Sequence, residues 1–212
     1  MPRVMINSTR WRRLAVGATI STAAVAAAGA ADSRAPDAFR VRLDTSKGAI
    51  VIELRREWAP LGVDRFFTLV RAGYFDEARF FRVSAGRFAQ FGINGDPRVS
   101  RAWRTRTIAD EPRVLSNVRG TLGFAFAVKN GRTTQIFINL QDNLEYDKEP
   151  FVPIGRIAVG MDVADRLNSE YGERAGGGIR AGRQAPLFEG GNVFLAREFP
   201  KLDWIRRASI EP

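Results

Sequence analysis

The chain has no cysteine and no histidine among its 212 residues. The first absence excludes disulfides, zinc fingers and thiol nucleophiles. The second excludes any triad or proton relay built on imidazole, and the two together exclude a Cys/His transition-metal site. Lysine is scarce, confined to Lys47, Lys129, Lys148 and Lys201. Acidic residues are missing before Asp32. Of metal sites, only carboxylate-type Ca²⁺ or Mg²⁺ sites stay open, and chemistry is left to arginine, lysine, carboxylates, hydroxyls, amides and hydrophobic shape; no metal or organic cofactor is among the expectations.

What is present is an ordinary globular balance, with 45% hydrophobic and 26% charged residues. The formal net charge is +10. Arg3, Arg10, Arg12 and Arg13 supply four of those ten charges, leaving +6 on the rest. That modest excess favours encounters with acidic surfaces but is a poor argument for nucleic acid, so no nucleic-acid partner is expected. Arg101, Arg104 and Arg106 around Trp103 read as a solvated basic loop.

Residues 1–13 are basic, residues 14–31 are apolar and alanine-rich, and residues 32–37 are polar and turn-prone. This is the pattern of a secretory signal peptide, with Ala28-Gly29-Ala30 as the small-residue cleavage site. The run is short and only mildly hydrophobic for a membrane span, so no stable insertion is expected after cleavage. The expected organisation is a signal peptide over 1–31, a linker over 32–38, a catalytic domain over 39–199 and a tail over 200–212. The expected location is the periplasm or the exterior, and the expected state is a monomer.

Within the domain, Phe39-Arg40-Val41-Arg42-Leu43-Asp44 alternates apolar and charged residues, and residues 49–54 alternate again after a Thr45-Ser46-Lys47-Gly48 turn. The spacing predicts an antiparallel hairpin with one buried face. From Pro60 the period changes: Val63, Phe66, Phe67 and Val70 predict a helix ending at Gly73. Short apolar runs at 80–83, 88–91, 120–128, 136–140 and 153–159 are of strand length. Met161, Ala164 and Leu167 predict a second helix. Residues 172–191 read as a Gly- and Arg-rich loop, and residues 192–199 as a closing strand. Many short strands with two helices predict a mainly β fold, a closed eight-stranded antiparallel barrel capped by two α-helices.

Four segments carry the chemistry. In the first, Phe80, Arg82, Val83, Gly86, Gln90 and Gly92 fit F-x-R-V-x-x-G-x-x-x-Q-x-G, and strand alternation puts Phe88 and Gln90 on one face. Residues 120–127 fit G-x-L-x-x-A-x-A. Thr134-Gln135-Ile136-Phe137-Ile138 forms the third segment. Residues 155–163 fit G-x-V-x-x-G-M-D-V, with Ile157 in place of Val. In this order and spacing the chain resembles the cyclophilin family of peptidyl-prolyl cis/trans isomerases from about Phe39 to Leu167.

The resemblance implies a barrel with its active groove on the outside of the sheet, and proline-containing polypeptides as substrates. It implies that Arg82 is the catalytic arginine and that Gln90 holds the substrate backbone or orients that arginine. Phe88, Phe137 and Tyr146 would form the proline pocket, with Ala125 and Phe126 along the substrate backbone. The sequence departs from the family pattern at Phe81, where many members carry His, at Arg87 and Phe126, at Glu145, where some carry a Trp associated with cyclosporin binding, and near Val152. A proline-peptide binding or chaperone module of the same fold, with little turnover, is the alternative that Phe81 and Arg87 motivate.

Overall fold

A computed structural model describes residues 22–177 and 183–211. The basic start of the expected leader and residues 14–21 of its apolar run lie outside the described residues.

The hairpin forms from β1 (Ala38–Thr45) and β2 (Gly48–Arg55), with Val41 opposite Ile52 and Leu43 opposite Ile50. Those four side chains are fully buried, as strict alternation requires of a sheet with one solvated face. Thr45 Oγ1 donates to the Gly48 carbonyl (2.6 Å) and accepts from Lys47 N, which closes the turn. Helix α2 (Pro60–Arg71) has its proline in the first turn, where a missing N–H costs nothing. Its end is a Schellman arrangement: Gly73 takes φ +66°, Gly73 N donates to Val70 O and Tyr74 N to Leu69 O.

Six further strands complete the sheet: β3 (Arg82–Ser84), β4 (Phe88–Phe91), β5 (Thr121–Phe124), β6 (Ile136–Asn139), β7 (Pro153–Val159) and β8 (Ile205–Ile210). Their order is β3-β4-β6-β5-β7-β2-β1-β8, and every paired neighbour is antiparallel. The concave face holds the main core, including Phe66, Phe75, Phe91, Phe124, Ile138 and Ile154. The barrel is open, which corrects the closed form expected from the sequence. Edge strands β3 and β8 share no ladder. They approach at one corner, through the bridge Arg79↔Trp204 and the bonds Phe80 N to Asp203 O and Ile205 N to Ala78 O, each 2.9 Å. Beyond that corner Phe81 turns into a separate apolar cluster and β3 runs for three residues only, so no ladder can propagate.

Two other expectations are corrected at the C-terminal end. Residues 192–199 do not form the closing strand. Residues 192–198 belong to helix α5 (Ala185–Glu198), which Phe199 ends and which is kinked at Gly191; Leu187, Gly191 and Leu195 are its buried residues. The strand that completes the sheet is β8, inside the expected tail, with Ala208 opposite Leu43 and Ile210 opposite Val41. The expected loop over 172–191 is likewise partly α5. Helix α5 packs on a second, smaller core of Phe81, Ile93, Ala175, Leu187, Leu195 and Leu202.

The sequence reading of two helices was incomplete. Besides α2 and α4 (Met161–Asp165) the described residues contain α5, α1 (Thr22–Ala27) and α3 (Pro97–Trp103). Asp96 caps α3 by accepting from Arg98 N at 2.8 Å. The expected basic loop is thus helical only as far as Trp103, with Arg104 and Arg106 in the turn that follows. Trp103 is fully buried and donates to Ala24 O at 2.9 Å, while Arg106 donates to the carbonyls of Ala27, Ala28 and Ala30. Arg104 lies over the Phe188 ring at 4.7 Å. Asp32, from the linker, pairs with the buried Arg65 at 2.9 Å. Among the described residues no helix is long and apolar enough to cross a membrane.

Candidate active site

The convex side of β3, β4 and β6 carries an open pocket of about 290 Å³. Register builds it. Arg82 is the cross-strand partner of Gln90, and Gln90 the partner of Phe137, so these three side chains share one face in a row. Their chain neighbours Val83, Ala89, Phe91, Ile136 and Ile138 point into the core. Gly92 ends β4 with φ +103°, and a Cβ there would lie 2.3 Å from the Thr134 carbonyl. Only glycine lets β4 approach the 134–135 backbone that brings Gln135 beside Gln90.

The polar end of the pocket is a chain of fixed contacts. Arg82 Nη1 donates to Gln90 Oε1 at 3.1 Å, and Gln90 Nε2 donates to Gln135 Oε1 at 2.8 Å. Gln135 Nε2 donates to Gln184 Oε1 at 2.8 Å. The guanidinium carbon of Arg82 sits 4.6 Å over the Phe88 ring, and its Nε and Nη2 donate to Glu173 Oε1. All three glutamines are buried, so each amide depends on these partners.

The apolar end is aromatic. Phe137 meets Phe151 edge-on at 5.4 Å and Tyr146 edge-on at 5.8 Å, and Phe126 packs on Phe151 at 4.5 Å. Tyr146 stands on a 3-10 turn (Leu144–Lys148), and Asp147 pins that turn by accepting from Asn117 N (2.9 Å) and Nδ2 (2.8 Å). Burial, with Arg87 acting against it, pushes the Tyr146 phenol above its ordinary range, so it stays neutral. The Asp147 carboxyl is held below its ordinary range: burial opposes this, but the Asn117 hydrogen bonds outweigh it.

The structure brings Arg82, Gln90, Phe88, Ala125, Phe126, Phe137 and Tyr146 to this one pocket. Sequence reasoning missed Ser84, Glu149, Phe151 and Glu173, which also line it. Phe151 gave no signal because it precedes β7 outside any periodic run. Glu173 lies 91 residues from Arg82, in a segment outside every motif. Three of the departures find physical roles. Phe81 is buried in the smaller core, and Arg87 and Glu145 form an ion pair with each other at 3.1 Å on the pocket rim. Among the described residues no cluster of three or more acidic side chains is placed to hold a metal ion.

Comparison with known proteins points one way. The family profile described as cyclophilin type peptidyl-prolyl cis-trans isomerase/CLD matches residues 40–181. The chain is 31% identical to peptidyl-prolyl cis-trans isomerase A of Dickeya dadantii over 141 residues, covering 64% of this chain and 74% of that one. It is 30% identical to peptidyl-prolyl cis-trans isomerase B of Escherichia coli over 145 residues, covering 64% and 88%. A crystal structure of a Cryptosporidium parvum cyclophilin type isomerase in the presence of the dipeptide Ala-Pro aligns with TM-score 0.60 at 19% identity, over 82% of this chain and 99% of that one; at this identity the likeness speaks for the fold. With a profile spanning most of its length, the chain belongs to the cyclophilin-type peptidyl-prolyl cis-trans isomerase family.

Proposed function

We propose that this protein catalyses rotation about X-Pro peptide bonds with Arg82 as the catalytic residue, Gln90 as its partner and the Phe88/Phe126/Phe137/Tyr146 slot as the grip on the proline ring. The observation that carries the reading is the Arg82 guanidinium, fixed by Gln90 at the mouth of an aromatic pocket. The uncatalysed barrier of roughly 18–20 kcal/mol is amide resonance. As the C–N bond twists, resonance is lost and the proline nitrogen gains a lone pair that it lacks when planar. A guanidinium N–H aimed at that nitrogen binds the twisted state better than either planar isomer, and that difference is what accelerates the step. No covalent bond is made or broken, so a site without nucleophile, metal or titrating base suffices. Lowering the barrier by about 5–7 kcal/mol gives roughly 10⁴- to 10⁵-fold acceleration.

The slot supplies the other half. With the ring seated against the aromatic lining formed by Phe88, Phe126, Phe137 and Tyr146, the rotation falls on the preceding carbonyl, at the end of the pocket lined by Ser84 and Arg87. We further propose that the chain is exported and assists folding outside the cytoplasm. The basic-then-apolar residues 1–31 and the absence of cysteine support that placement.

A protease-coupled assay on a proline tetrapeptide tests the first proposal. The wild type accelerates cis-to-trans conversion and Arg82→Ala lowers kcat/KM at least 100-fold, the scale of losing one preorganised donor. An Arg82→Ala variant of full rate would remove Arg82 from the mechanism. Fractionation of cells expressing the chain tests the second proposal, with export expected and cytoplasmic retention opposing it.

A further inference from the structure

Arginine on an edge strand is a poor fixed donor by itself. Its side chain has many rotamers, and β3 is a three-residue strand at the margin of the sheet. Gln90 holds a single N–H, on Nη1. The other edge of the guanidinium is taken by Glu173, whose Oε1 accepts from both Nε (3.0 Å) and Nη2. Of the five N–H donors of a guanidinium, these contacts use the Nε–H, one on Nη2 and one on Nη1. One N–H on each terminal nitrogen is left for a substrate. Phe88 under the guanidinium fixes the remaining tilt.

The segment that delivers Glu173 is built for placement. Gly177 N donates to Glu173 O at 2.7 Å, Ala175 is buried, and Gly176 lies so close to Phe81 that a Cβ there would come 2.3 Å from the ring. Phe81 immediately precedes Arg82, so the residue that seats the segment and the residue that the segment holds are adjacent in the chain. A few residues on, Gln184 grips the far end of the same network through Gln135 and also donates to Gly177 O. The segment therefore meets the polar row at both ends.

We propose that Glu173 is a positioning residue for Arg82, which fixes the guanidinium plane so that its free N–H groups face the twisting imide. The proposal rests on the reading of Arg82 given above. It makes residues 173–177 a working wall of the active site rather than a surface ornament.

The test uses the purified chain with Glu173→Gln and Glu173→Ala, measuring kcat and KM separately on a proline tetrapeptide, thermal unfolding, and the Arg82 Nε–H resonance in ¹H–¹⁵N spectra. A partly exposed ion pair positions without dominating, so the expected fall in kcat is about threefold to tenfold, larger for Ala than for Gln, with KM changed less than about twofold. The side chain of Glu173 is 55% exposed, so the unfolding temperature should hold. The Arg82 Nε–H signal, sheltered in the wild type, should broaden into solvent exchange in both variants. Unchanged kcat overturns the proposal, as does a rise, which would mean that Glu173 competes with substrate. A loss of rate that tracks a loss of stability while the Nε–H signal persists overturns it as well. Arg82→Ala run alongside separates the two claims. If it retains full rate, the reading of the site fails. If it is inactive while both Glu173 variants match the wild type, only the positioning role fails.

Discussion

The alternation of β4 and β6 places aromatic rings on both faces of the sheet, and truncating one ring from each face separates folding from function. Phe137 points outward into the pocket, and Phe91 points inward, fully buried against Phe75 and Phe80 at 5.4 and 5.3 Å. Phe91→Ala opens a dry cavity that its neighbours cannot fill, and costs about 3–5 kcal/mol. Phe137→Ala forfeits the edge-on contacts to Tyr146 and Phe151, each about 0.5–1.5 kcal/mol, but water can enter from the open groove. Its stability cost is therefore smaller, about 2–3 kcal/mol. For a domain of this size 1 kcal/mol shifts Tm by roughly 2–4 °C, so the inward variant should melt about 6–20 °C lower and the outward variant about 4–12 °C lower, the inward shift being the larger of the two. The catalytic order is reversed. Without the Phe137 ring the substrate proline loses its floor, about 1.5–3 kcal/mol of apolar contact, which is roughly 10- to 100-fold in kcat/KM. Phe91→Ala, assayed where it is folded, should keep kcat/KM within about twofold, since its ring packs in the core and does not line the groove. The assay is the coupled tetrapeptide reaction at about 10 °C beside a thermal melt. If the two variants lose kcat/KM in proportion to their lost stability, the outward pocket is not where proline binds.

Three more outcomes follow from the same geometry. With no histidine or cysteine in the chain and Tyr146 held neutral, kcat/KM should stay flat between about pH 6 and 8, and a bell-shaped profile would mean that a titrating group takes part. Asp147 has a folded-state pKa below its unfolded value, so its stabilisation is complete above about pH 4 and is lost as pH falls through the folded value. Acid melts should accordingly show a smaller fall in Tm for Asp147→Asn than for the wild type. A chain starting at Ala31 lacks the carbonyls that Trp103 and Arg106 use and should melt several degrees below one starting at Thr22, as calorimetry on the two would show.

How much of this was legible depended on the range of the interactions. The β1–β2 hairpin and α2 declare themselves through uninterrupted periods of 2 and 3.6, because each buries one face against a single core. The pocket residues were legible through four motifs that resemble a known family, and only the shared face of Phe88 and Gln90 through alternation; the β3–β4 register then carries Arg82 and Gln90 together. Helix α5 was obscured by Gly190-Gly191, which reads as a breaker. Gly191 instead kinks the helix where a Cβ would lie 2.1 Å from Gly95 O, a contact that nothing local announces. Strand β8 was hidden by its two adjacent arginines, Arg206 and Arg207, whose exposure breaks the alternation. The open edge and the Arg82–Glu173 pair are products of tertiary placement, and no short window of sequence contains both partners.

The charge pattern of the groove sharpens what it can select. A chain of net charge +10 would be expected to draw acidic peptides, yet both arginines at the pocket are neutralised at contact distance, Arg82 by Glu173 and Arg87 by Glu145. Pairing removes most of the long-range field while leaving the short-range N–H groups in place, and exposed pairs add little net energy of their own. On the reading proposed above, capture then rests on the aromatic lining of the pocket, which is indifferent to the side chain flanking proline. That division suits the isomerase reading proposed above. Apolar shape recognises the one ring common to all substrates, and the charge is reserved for the nitrogen that becomes basic only during the twist. Phe81, Arg87 and Glu145 then stop looking like isolated losses from the family pattern. The first seats the segment that holds Arg82, and the other two cancel each other at the rim.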